Sequence, residues 1–187
     1  MLLFLDIDGT LIPFGGATPY PVYAPRRVLP RLAAAHPLLT RVDPALGPRL
    51  AALGCTLVWA TTWGDDANEC LAPWLGLPAL PLVTWPDDDA DDDADDVPPE
   101  VYGDDGPAGS VHWKTRPLVA RAAGRPFVWL DDELTDADRA WVAVHHPAPA
   151  LLHRVDHRHG LTDRDFAAVE AWLGDVGGIR SRTRTSR

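Results

Sequence analysis

The amino-acid sequence predicts an α/β protein with a parallel, doubly wound sheet, and three features support this class. Short apolar runs without strict alternation are typical of strands that are buried on both faces. Segments with helical spacing lie between these runs, as the short right-handed crossovers of a parallel sheet require. Two of the runs end abruptly in pairs of aspartates. In open α/β sheets, this carboxyl edge of the strands is where active sites lie.

The chain of 187 residues is long enough for one domain with its own hydrophobic core. We predict a single domain over residues 1–178. A proline-rich flap over 12–48 interrupts it, because each proline removes a backbone donor and restricts the residue before it. The elements predicted in the first half are a strand over 1–5, a short helix near 28–35, a helix over 43–53, a strand over 55–61, a helix over 65–75 and a strand over 81–85.

The second half begins with an acidic stretch, 86–110, that has too few apolar residues to order itself, so we expect a mobile loop there. The elements predicted after it are a helix over 114–123, a strand from Phe127 that stops at Asp131 and Asp132, a strand over 141–145, and a final helix that Thr162 caps and that ends at Gly177 and Gly178. The arginines of residues 179–187 stand among serines and threonines, which predicts a basic, disordered tail.

The net charge of −10 is concentrated in one place. Eight aspartates between residues 87 and 96 account for most of it, so the rest of the chain is nearly neutral. Cys55 and Cys70 are the two cysteines, which excludes a disulfide framework and predicts two reduced thiols. The apolar start is interrupted at Asp6, so it predicts neither a signal peptide nor a spanning helix. We therefore expect a cytoplasmic protein with no membrane association.

The polar residues at predicted strand ends and helix starts match what phosphoryl transfer through an aspartate requires. A nucleophilic carboxylate needs a divalent cation, a positive side chain and a second acid that protonates the leaving oxygen. Hydroxyl and backbone donors must hold the phosphate oxygens. The candidates are Asp6 and Asp8 for the two acids, Gly9, Thr61, Thr62 and Lys114 for phosphate contacts, and Asp131 and Asp132 for the cation. Mg²⁺ fits this set best, because it prefers carboxylate and water ligands.

The motif Asp6-Ile-Asp8-Gly9-Thr10-Leu11, a threonine after an apolar strand, a later lysine and a strand that ends in Asp131-Asp132 follow one another along the chain. In this order they resemble the four motifs of the haloacid dehalogenase-like (HAD) superfamily, over roughly residues 1–132. The resemblance implies a Rossmann-like, three-layer sandwich with a central parallel sheet. The block Thr61-Thr62-Trp63 and the compact build are also similar to HAD domains of bacterial RNA-repair proteins.

The resemblance implies a Mg²⁺-dependent phosphatase, that is, a phosphoric monoester hydrolase. Asp6 would be the nucleophile and a Mg²⁺ ligand. Asp8 would be the general acid and base and a ligand through its backbone carbonyl, and its presence favours phosphatases over dehalogenases. Thr61 and Lys114 would bind phosphate. The pair Asp131-Asp132 would hold Mg²⁺, and spacing does not decide which of the two touches the metal.

Neither insertion site of the superfamily holds enough predicted structure for a substantial cap domain, which implies an open active site. Open sites in the superfamily tend to serve large substrates, so we expect a phosphorylated substrate such as a nucleic-acid end or a phosphoprotein. A small phosphometabolite or a nucleotide is the alternative. The nearly neutral body gives a nucleic-acid partner no support from charge, and the sequence leaves the oligomeric state open.

Three other interpretations stay open. A non-catalytic module that uses the fold for binding is the rival from another class. Five histidines between residues 145 and 159 suggest a zinc site, but their spacing matches no compact ligand pattern. Trp63 and Trp113 each stand next to a motif residue and are candidates for lining the pocket.

Overall fold

The computed structural model describes residues 1–25, 36–85 and 111–184, with side chains as far as residue 177. Four parallel strands form one sheet in the order β2-β1-β3-β4. The strands are β1 (Leu2–Leu5), β2 (Thr56–Trp59), β3 (Phe127–Asp131) and β4 (Ala150–Arg154). This sheet confirms the predicted α/β class.

The pairing register brings the ends of three strands to one edge of the sheet. Leu5, the last residue of β1, lies opposite Trp59 of β2 and Leu130 of β3. The Asp6 amide then donates to the Leu130 carbonyl at 3.1 Å. On the other side, the Ala60 amide donates to the Leu5 carbonyl at 2.9 Å. The residues that follow these three strands therefore meet at one place.

The helices are a 3₁₀ helix (Pro37–Arg41), α1 (Leu46–Ala52), α2 (Ala72–Leu75), α3 (Thr115–Ala122), α4 (Asp136–His145) and α5 (Asp163–Arg184). A π-helical turn over Ala67–Leu71 leads directly into α2. Pro73 accounts for this wide turn, because it has no amide to donate and its ring excludes the carbonyl four residues before it. The helices predicted over 43–53, 65–75 and 114–123 are all found, with shorter bounds.

Helices cover both faces of the sheet. Successive side chains of β1 enter two different cores, as the alternation of a strand requires. One core also contains residues of α1, α2 and α5, such as Leu50, Leu75 and Phe166. The other contains residues of α3 and α4, such as Leu118 and Val142. This arrangement confirms the predicted three-layer sandwich.

The prediction of a strand over 141–145 is wrong, because these residues form the end of α4. A capping box begins this helix: the Thr135 hydroxyl accepts the Asp138 amide, and the Asp138 side chain accepts the Thr135 amide. Val144 is 78 % exposed, which a central strand would not allow. The capping box commits the chain to a helix before the apolar residues begin, and the strand follows later as β4.

The segment 81–85, also predicted as a strand, forms a single bridge. Leu82 pairs with Trp59 at the outer edge of β2. The Trp59 amide donates to the Pro81 carbonyl at 2.9 Å. The Val83 amide donates to the Trp59 carbonyl at the same distance. Proline has no amide with which to extend the ladder, so the pairing does not develop into a strand.

The final helix is longer than its sequence predicts. Gly177 and Gly178 should end it, but α5 continues to Arg184. Each glycine lowers helix propensity by about 1 kcal/mol but removes no hydrogen-bond donor, so the helix tolerates both. Residues 179–184, which the sequence predicts as part of a disordered tail, are included in α5. The short helix near 28–35 and the acidic loop over 86–110 lie outside the described residues.

Candidate active site

Lys114 joins the two aspartates that follow or end the central strands. Its Nζ lies 2.7 Å from Asp6 Oδ1 and 3.0 Å from Asp131 Oδ2. All three side chains are almost completely buried, and we call them the buried triad. Asp131 has further partners, since Trp129 Nε1 donates to its Oδ2 (3.1 Å) and the Glu133 amide to its Oδ1 (3.0 Å). Among the described residues, Asp6 accepts its side-chain hydrogen bond from Lys114 alone.

The buried triad has an excess of negative charge around it. Burial, with the carboxylates of Asp131 and Asp132, raises the pKa of Asp6 well above its usual value against the opposing effect of Lys114. Although burial disfavours the charged ammonium, Asp6 and Asp131 raise the pKa of Lys114. One lysine thus faces several carboxylates, and such a site favours a further cation.

Asp132 adds a third carboxylate beside the triad. Oxygens of Asp6, Asp131 and Asp132 lie within 4.8 Å of one another, as the ligands of one metal ion do. Burial, and then the charges of Asp131 and Glu133, raise the pKa of Asp132 to about 6. Gly9 makes room for this carboxyl group, since a Cβ there would stand 2.2 Å from the Asp132 carboxyl carbon. A cluster of oxygen ligands with this charge fits Mg²⁺.

Asp8 lies on the rim of the site, apart from the buried carboxylates. Its side chain is exposed, and Trp63 Nε1 donates to Asp8 Oδ2 at 2.8 Å. Gly9 follows with a positive φ of 72°, which lets the chain turn back so that the Gly9 amide reaches the Ile12 carbonyl (2.9 Å). The end of β1 therefore sends Asp6 inward and Asp8 toward solvent.

Thr61 and Thr62 follow β2 at the same edge of the sheet. Thr61 is buried, its hydroxyl accepts the Trp63 amide (3.3 Å) and its carbonyl accepts Trp85 Nε1 (3.0 Å). A hydroxyl that accepts one hydrogen bond still has a proton to donate. Thr62 is exposed. The structure therefore distinguishes two threonines that the sequence leaves equivalent.

The residues predicted for the site fall into two groups. The first group consists of Asp6, Asp131 and Asp132, which we call the acidic cluster, with Gly9 and Lys114 beside it. The second group, outside the acidic cluster, consists of the exposed Asp8 and Thr62 and the buried Thr61, and Trp63 links Asp8 to Thr61. Of the two tryptophans predicted to line the pocket, Trp63 contacts a motif aspartate directly.

A family model described as the HAD domain in Swiss Army Knife RNA repair proteins matches residues 2–166. The match includes all four strands and every residue of the two groups. The chain belongs to this family. The match confirms the resemblance to the HAD superfamily and to HAD domains of RNA-repair proteins, and it indicates a protein of the phosphohydrolase type. No curated protein and no solved structure matched the chain.

In this HAD domain, Asp138 holds the segment that carries Lys114, a role absent from the sequence predictions. Asp138 Oδ1 accepts the His112 amide and the Thr115 hydroxyl, both at 2.6 Å, on either side of the lysine. Its Oδ2 accepts the amide (2.8 Å) and hydroxyl (2.6 Å) of Thr135. Although burial acts in the other direction, these hydrogen bonds lower the pKa of Asp138. The spacing of Thr135 and Asp138 is that of a capping box and could have indicated part of this role.

His112 forms a second link between the lysine segment and the loop after β3. Its Nε2 lies 2.8 Å from Glu133 Oε2, and its Nδ1 accepts the Lys114 amide (3.2 Å). The hydrogen bond from His112 lowers the pKa of Glu133. His112, Asp131 and Glu133 have the spacing of metal ligands. Because these groups already bond to one another or to neighbouring donors, we interpret them as a hydrogen-bond network that supports the HAD site.

The histidines for which zinc was considered have separate partners. His153 Nε2 lies 2.7 Å from Asp165 Oδ1, and His159 Nδ1 lies 3.2 Å from Asp156 Oδ2. Within the described ranges, neither group of metal-ligand spacing includes a histidine from 145–159. No helix in the same ranges has the length and apolarity needed to span a bilayer.

Asn68 fixes the loop that carries Trp63, and it too is absent from the sequence predictions. Its Oδ1 accepts Trp59 Nε1 (3.0 Å) and the Leu80 amide (2.8 Å), while its Nδ2 donates to the Leu80 carbonyl (2.9 Å). These bonds attach the π-helical turn to β2. The loop over 61–66 is therefore held at both ends. No sequence pattern marks an asparagine for such a role.

Proposed function

We propose that this HAD domain is a Mg²⁺-dependent phosphoric monoester hydrolase that acts through an aspartyl-phosphate on Asp6. The observation that carries the proposal is the contact of 2.7 Å between Lys114 Nζ and Asp6 Oδ1 at the end of β1. A carboxylate beside a buried ammonium suits attack on an anionic phosphate, because the positive charge offsets the repulsion between the two anions.

The residues present fit a Mg²⁺ ion. Burial, and then the neighbouring carboxylates, raise the pKa values of Asp6 and Asp132, so an added cation would stabilise their charged forms. We infer that Asp6, Asp131 and Asp132 hold the ion, with the backbone carbonyl of Asp8 as the HAD resemblance implies. When bound, Mg²⁺ supplies the charge that lets a carboxylate approach a phosphate.

Asp6 and Asp8 carry the two half-reactions. A carboxylate oxygen of Asp6 attacks phosphorus, the bond from phosphorus to the leaving alcohol breaks, and the carboxylic acid of Asp8 gives its proton to the leaving oxygen. Water then attacks phosphorus, the bond between phosphorus and the Asp6 oxygen breaks, and Asp8 takes the proton of the water. Inorganic phosphate leaves, and both aspartates return to their starting states. Lys114 and Thr61 bind the phosphate oxygens in both steps.

The phosphorylated end of a nucleic acid is the substrate that we propose. The family's description, RNA repair proteins, supports this class. The exposed position of Asp8 also supports it, since a leaving group that belongs to a long chain can reach an acid on the rim. A phosphoprotein, a nucleotide or a small phosphometabolite is the alternative substrate class.

The chemistry is tested by Asp6→Asn with para-nitrophenyl phosphate. We expect hydrolysis to fall by at least about 10³-fold, because an amide is a poor nucleophile. Circular dichroism should show that the variant is folded. Asp66→Asn, which changes an exposed carboxylate in the nearby loop, is the matched control and should keep the wild-type rate. Substantial hydrolysis by Asp6→Asn would contradict the proposed nucleophile.

The substrate class is tested with oligonucleotides phosphorylated at either end, mononucleotides, sugar phosphates and phosphopeptides, each with Mg²⁺ and with a chelator. We expect the highest kcat/KM for an oligonucleotide end and loss of activity with the chelator. A higher kcat/KM for another class would replace the nucleic-acid proposal. A complete absence of Mg²⁺-dependent hydrolysis would favour a non-catalytic binding module.

A further inference from the structure

The orientation of the Asp8 side chain depends on one hydrogen bond. Trp63 Nε1 donates to Asp8 Oδ2 at 2.8 Å, and within the described residues no other group bonds to this carboxylate. An exposed aspartate on a turn would otherwise exchange among several rotamers. The direction of the Asp8 carboxyl group therefore follows the position of the Trp63 indole.

Trp63 is itself fixed by neighbours on different elements. Its amide donates to the Thr61 hydroxyl (3.3 Å), and its carbonyl accepts the Asp66 amide (3.2 Å). The ring of His36, just before the 3₁₀ helix, packs against the indole with centroids 4.8 Å apart. Asn68 secures the end of the loop. The indole N–H is thus a donor with a fixed direction.

We propose that Trp63 is a positioning residue whose N–H holds the Asp8 carboxyl group where it transfers a proton to the leaving oxygen. The inference rests on the proposed function, in which Asp8 is the general acid and base. A well-placed acid contributes about 10²–10⁴-fold to such a step. A displacement of about 1 Å is enough to lose a large part of that factor.

The same tryptophan connects proton transfer to phosphate binding. The Trp63 amide bonds to the hydroxyl of Thr61, the proposed phosphate contact, while its indole bonds to Asp8. The loop after β2 therefore sets the distance between the acid and the bound phosphate. A leaving oxygen attached to that phosphate has a fixed place relative to the acid.

The kinetic test compares Trp63→Phe with the matched control Trp141→Phe. Phenylalanine keeps an aromatic ring against His36 but has no N–H. Trp141 stacks on His145 of α4, with centroids 4.0 Å apart. Each variant is assayed with phenyl phosphate, whose leaving oxygen needs a proton, and with dinitrophenyl phosphate, whose leaving group departs as a stable anion.

We expect Trp63→Phe to lower the single-turnover rate on phenyl phosphate by about 10- to 100-fold, with KM changed by less than about threefold. Its single-turnover rate on dinitrophenyl phosphate should stay near that of the wild type, and Trp141→Phe should match the wild type on both. An unchanged rate on phenyl phosphate would overturn the proposal. An equal loss of single-turnover rate on the two substrates would also overturn the proposal, because general damage to the site slows both reactions whatever the leaving group.

A spectroscopic readout separates this inference from the proposed function. In a proton–nitrogen correlation spectrum, the indole signal that disappears in Trp63→Phe should exchange slowly with solvent and should shift in Asp8→Ala. If that signal does not shift, the hydrogen bond does not form and the positioning role is wrong, whatever the activity. If it shifts but the wild type hydrolyses no phosphate ester, the contact is real while the proposed function fails, and the role in proton transfer fails with it.

Discussion

The two aspartates at the end of β1 are two residues apart and are held in opposite ways. Asp6 is buried and bonded to the ammonium of Lys114. Asp8 is exposed and bonded to the neutral indole N–H of Trp63. The ammonium of Lys114 stabilises the negative charge of Asp6. The indole N–H of Trp63 orients the Asp8 carboxyl group, which can still exchange protons with solvent. One turn of the chain thus provides two environments, which suit a nucleophile and an acid–base group.

The contrast between Asp6 and Asp8 also predicts that one affects mainly the stability of the protein and the other mainly the rate of its reaction. A buried ion cluster is expensive to disturb, because removing one partner leaves charge uncompensated in the interior. An exposed carboxylate with one neutral donor contributes little to folding. Substitutions in the buried triad should therefore destabilise the protein, whereas a substitution of the exposed Asp8 should lower the rate of hydrolysis.

Of the substitutions considered, Lys114→Met should lower the free energy of unfolding most. It leaves Asp6 and Asp131 buried without their cation, so we expect the free energy of unfolding to fall by about 3–5 kcal/mol in urea titrations without metal. Arg121→Met, which removes an exposed cation from the helix that follows Lys114, should keep the free energy of unfolding within about 0.5 kcal/mol of the wild type. A loss below about 1 kcal/mol for Lys114→Met would show that the triad does not govern stability.

Asp8→Asn should have the opposite profile. The amide cannot supply a proton, so kcat for phenyl phosphate should fall by about 10²-fold or more. The free energy of unfolding should change by no more than about 0.5 kcal/mol, since the side chain is exposed. Asp65→Asn, an exposed change in the loop beside Trp63, is the control for both measurements. Destabilisation of the size expected for Lys114→Met would remove the distinction between the two aspartates.

Asp138→Asn tests the support of the buried triad from outside it. An asparagine has one acceptor oxygen where Asp138 uses two, so we expect a loss of about 2 kcal/mol at pH 7. The hydrogen bonds lower the pKa of Asp138, so its stabilisation is complete above about pH 4, near the pKa of an unfolded aspartate, and disappears as pH falls through the folded pKa.

The difference in the free energy of unfolding between wild type and Asp138→Asn should therefore become smaller as the pH is lowered into the acidic range. Urea titrations between neutral and acidic pH measure it directly. Asp136→Asn changes an exposed carboxylate in the same turn of α4 and serves as the control. A difference that is constant with pH would mean that the charge of Asp138 has no role.

Gly9→Ala should give the smallest effect and the most specific one. The positive φ costs about 1 kcal/mol for an alanine, and the new Cβ would displace the Asp132 carboxyl group. Gly64 is a matched control, since it also has a positive φ but no atom within 4 Å of a Cβ. Both variants should lower Tm, and Gly9→Ala should lower it further because its Cβ also displaces the Asp132 carboxyl group. Only Gly9→Ala should reduce the rise in Tm that Mg²⁺ produces, and an equal Mg²⁺ response in the two would contradict the role of Gly9.

The parts of the fold that the sequence predicts are those that local pattern determines. The first strand, the strand before Thr61 and the strand before Asp131 are apolar runs with polar ends, and all three are found. The run over 141–145 has strand-like composition, yet it belongs to α4 because the cap at Thr135 precedes it. In that region a helix-start signal outweighs residue preference, and the sequence contained the signal.

The site divides in the same way. Motif spacing predicts the residues of the acidic cluster, because each stands at a strand end or helix start. It does not predict Asn68, Asp138 or the bond from Trp63 to Asp8, since each depends on segments brought together from distant parts of the chain. The residues that we propose to perform chemistry belong to local sequence motifs, whereas the residues that orient them are only weakly marked by such motifs.

The position of β1 within the sheet has a consequence for the order in which the protein forms. This strand, the first of the four described strands along the chain, pairs with Thr56–Trp59 on one side and Phe127–Asp131 on the other. A growing chain that has not yet reached residue 131 lacks both Asp131 and Asp132, so it has no acidic cluster. At a synthesis rate of about 5–20 residues per second, Asp131 and Asp132 are therefore made several seconds or more after Asp6. A nascent chain therefore cannot assemble the acidic cluster until residue 132 has been made.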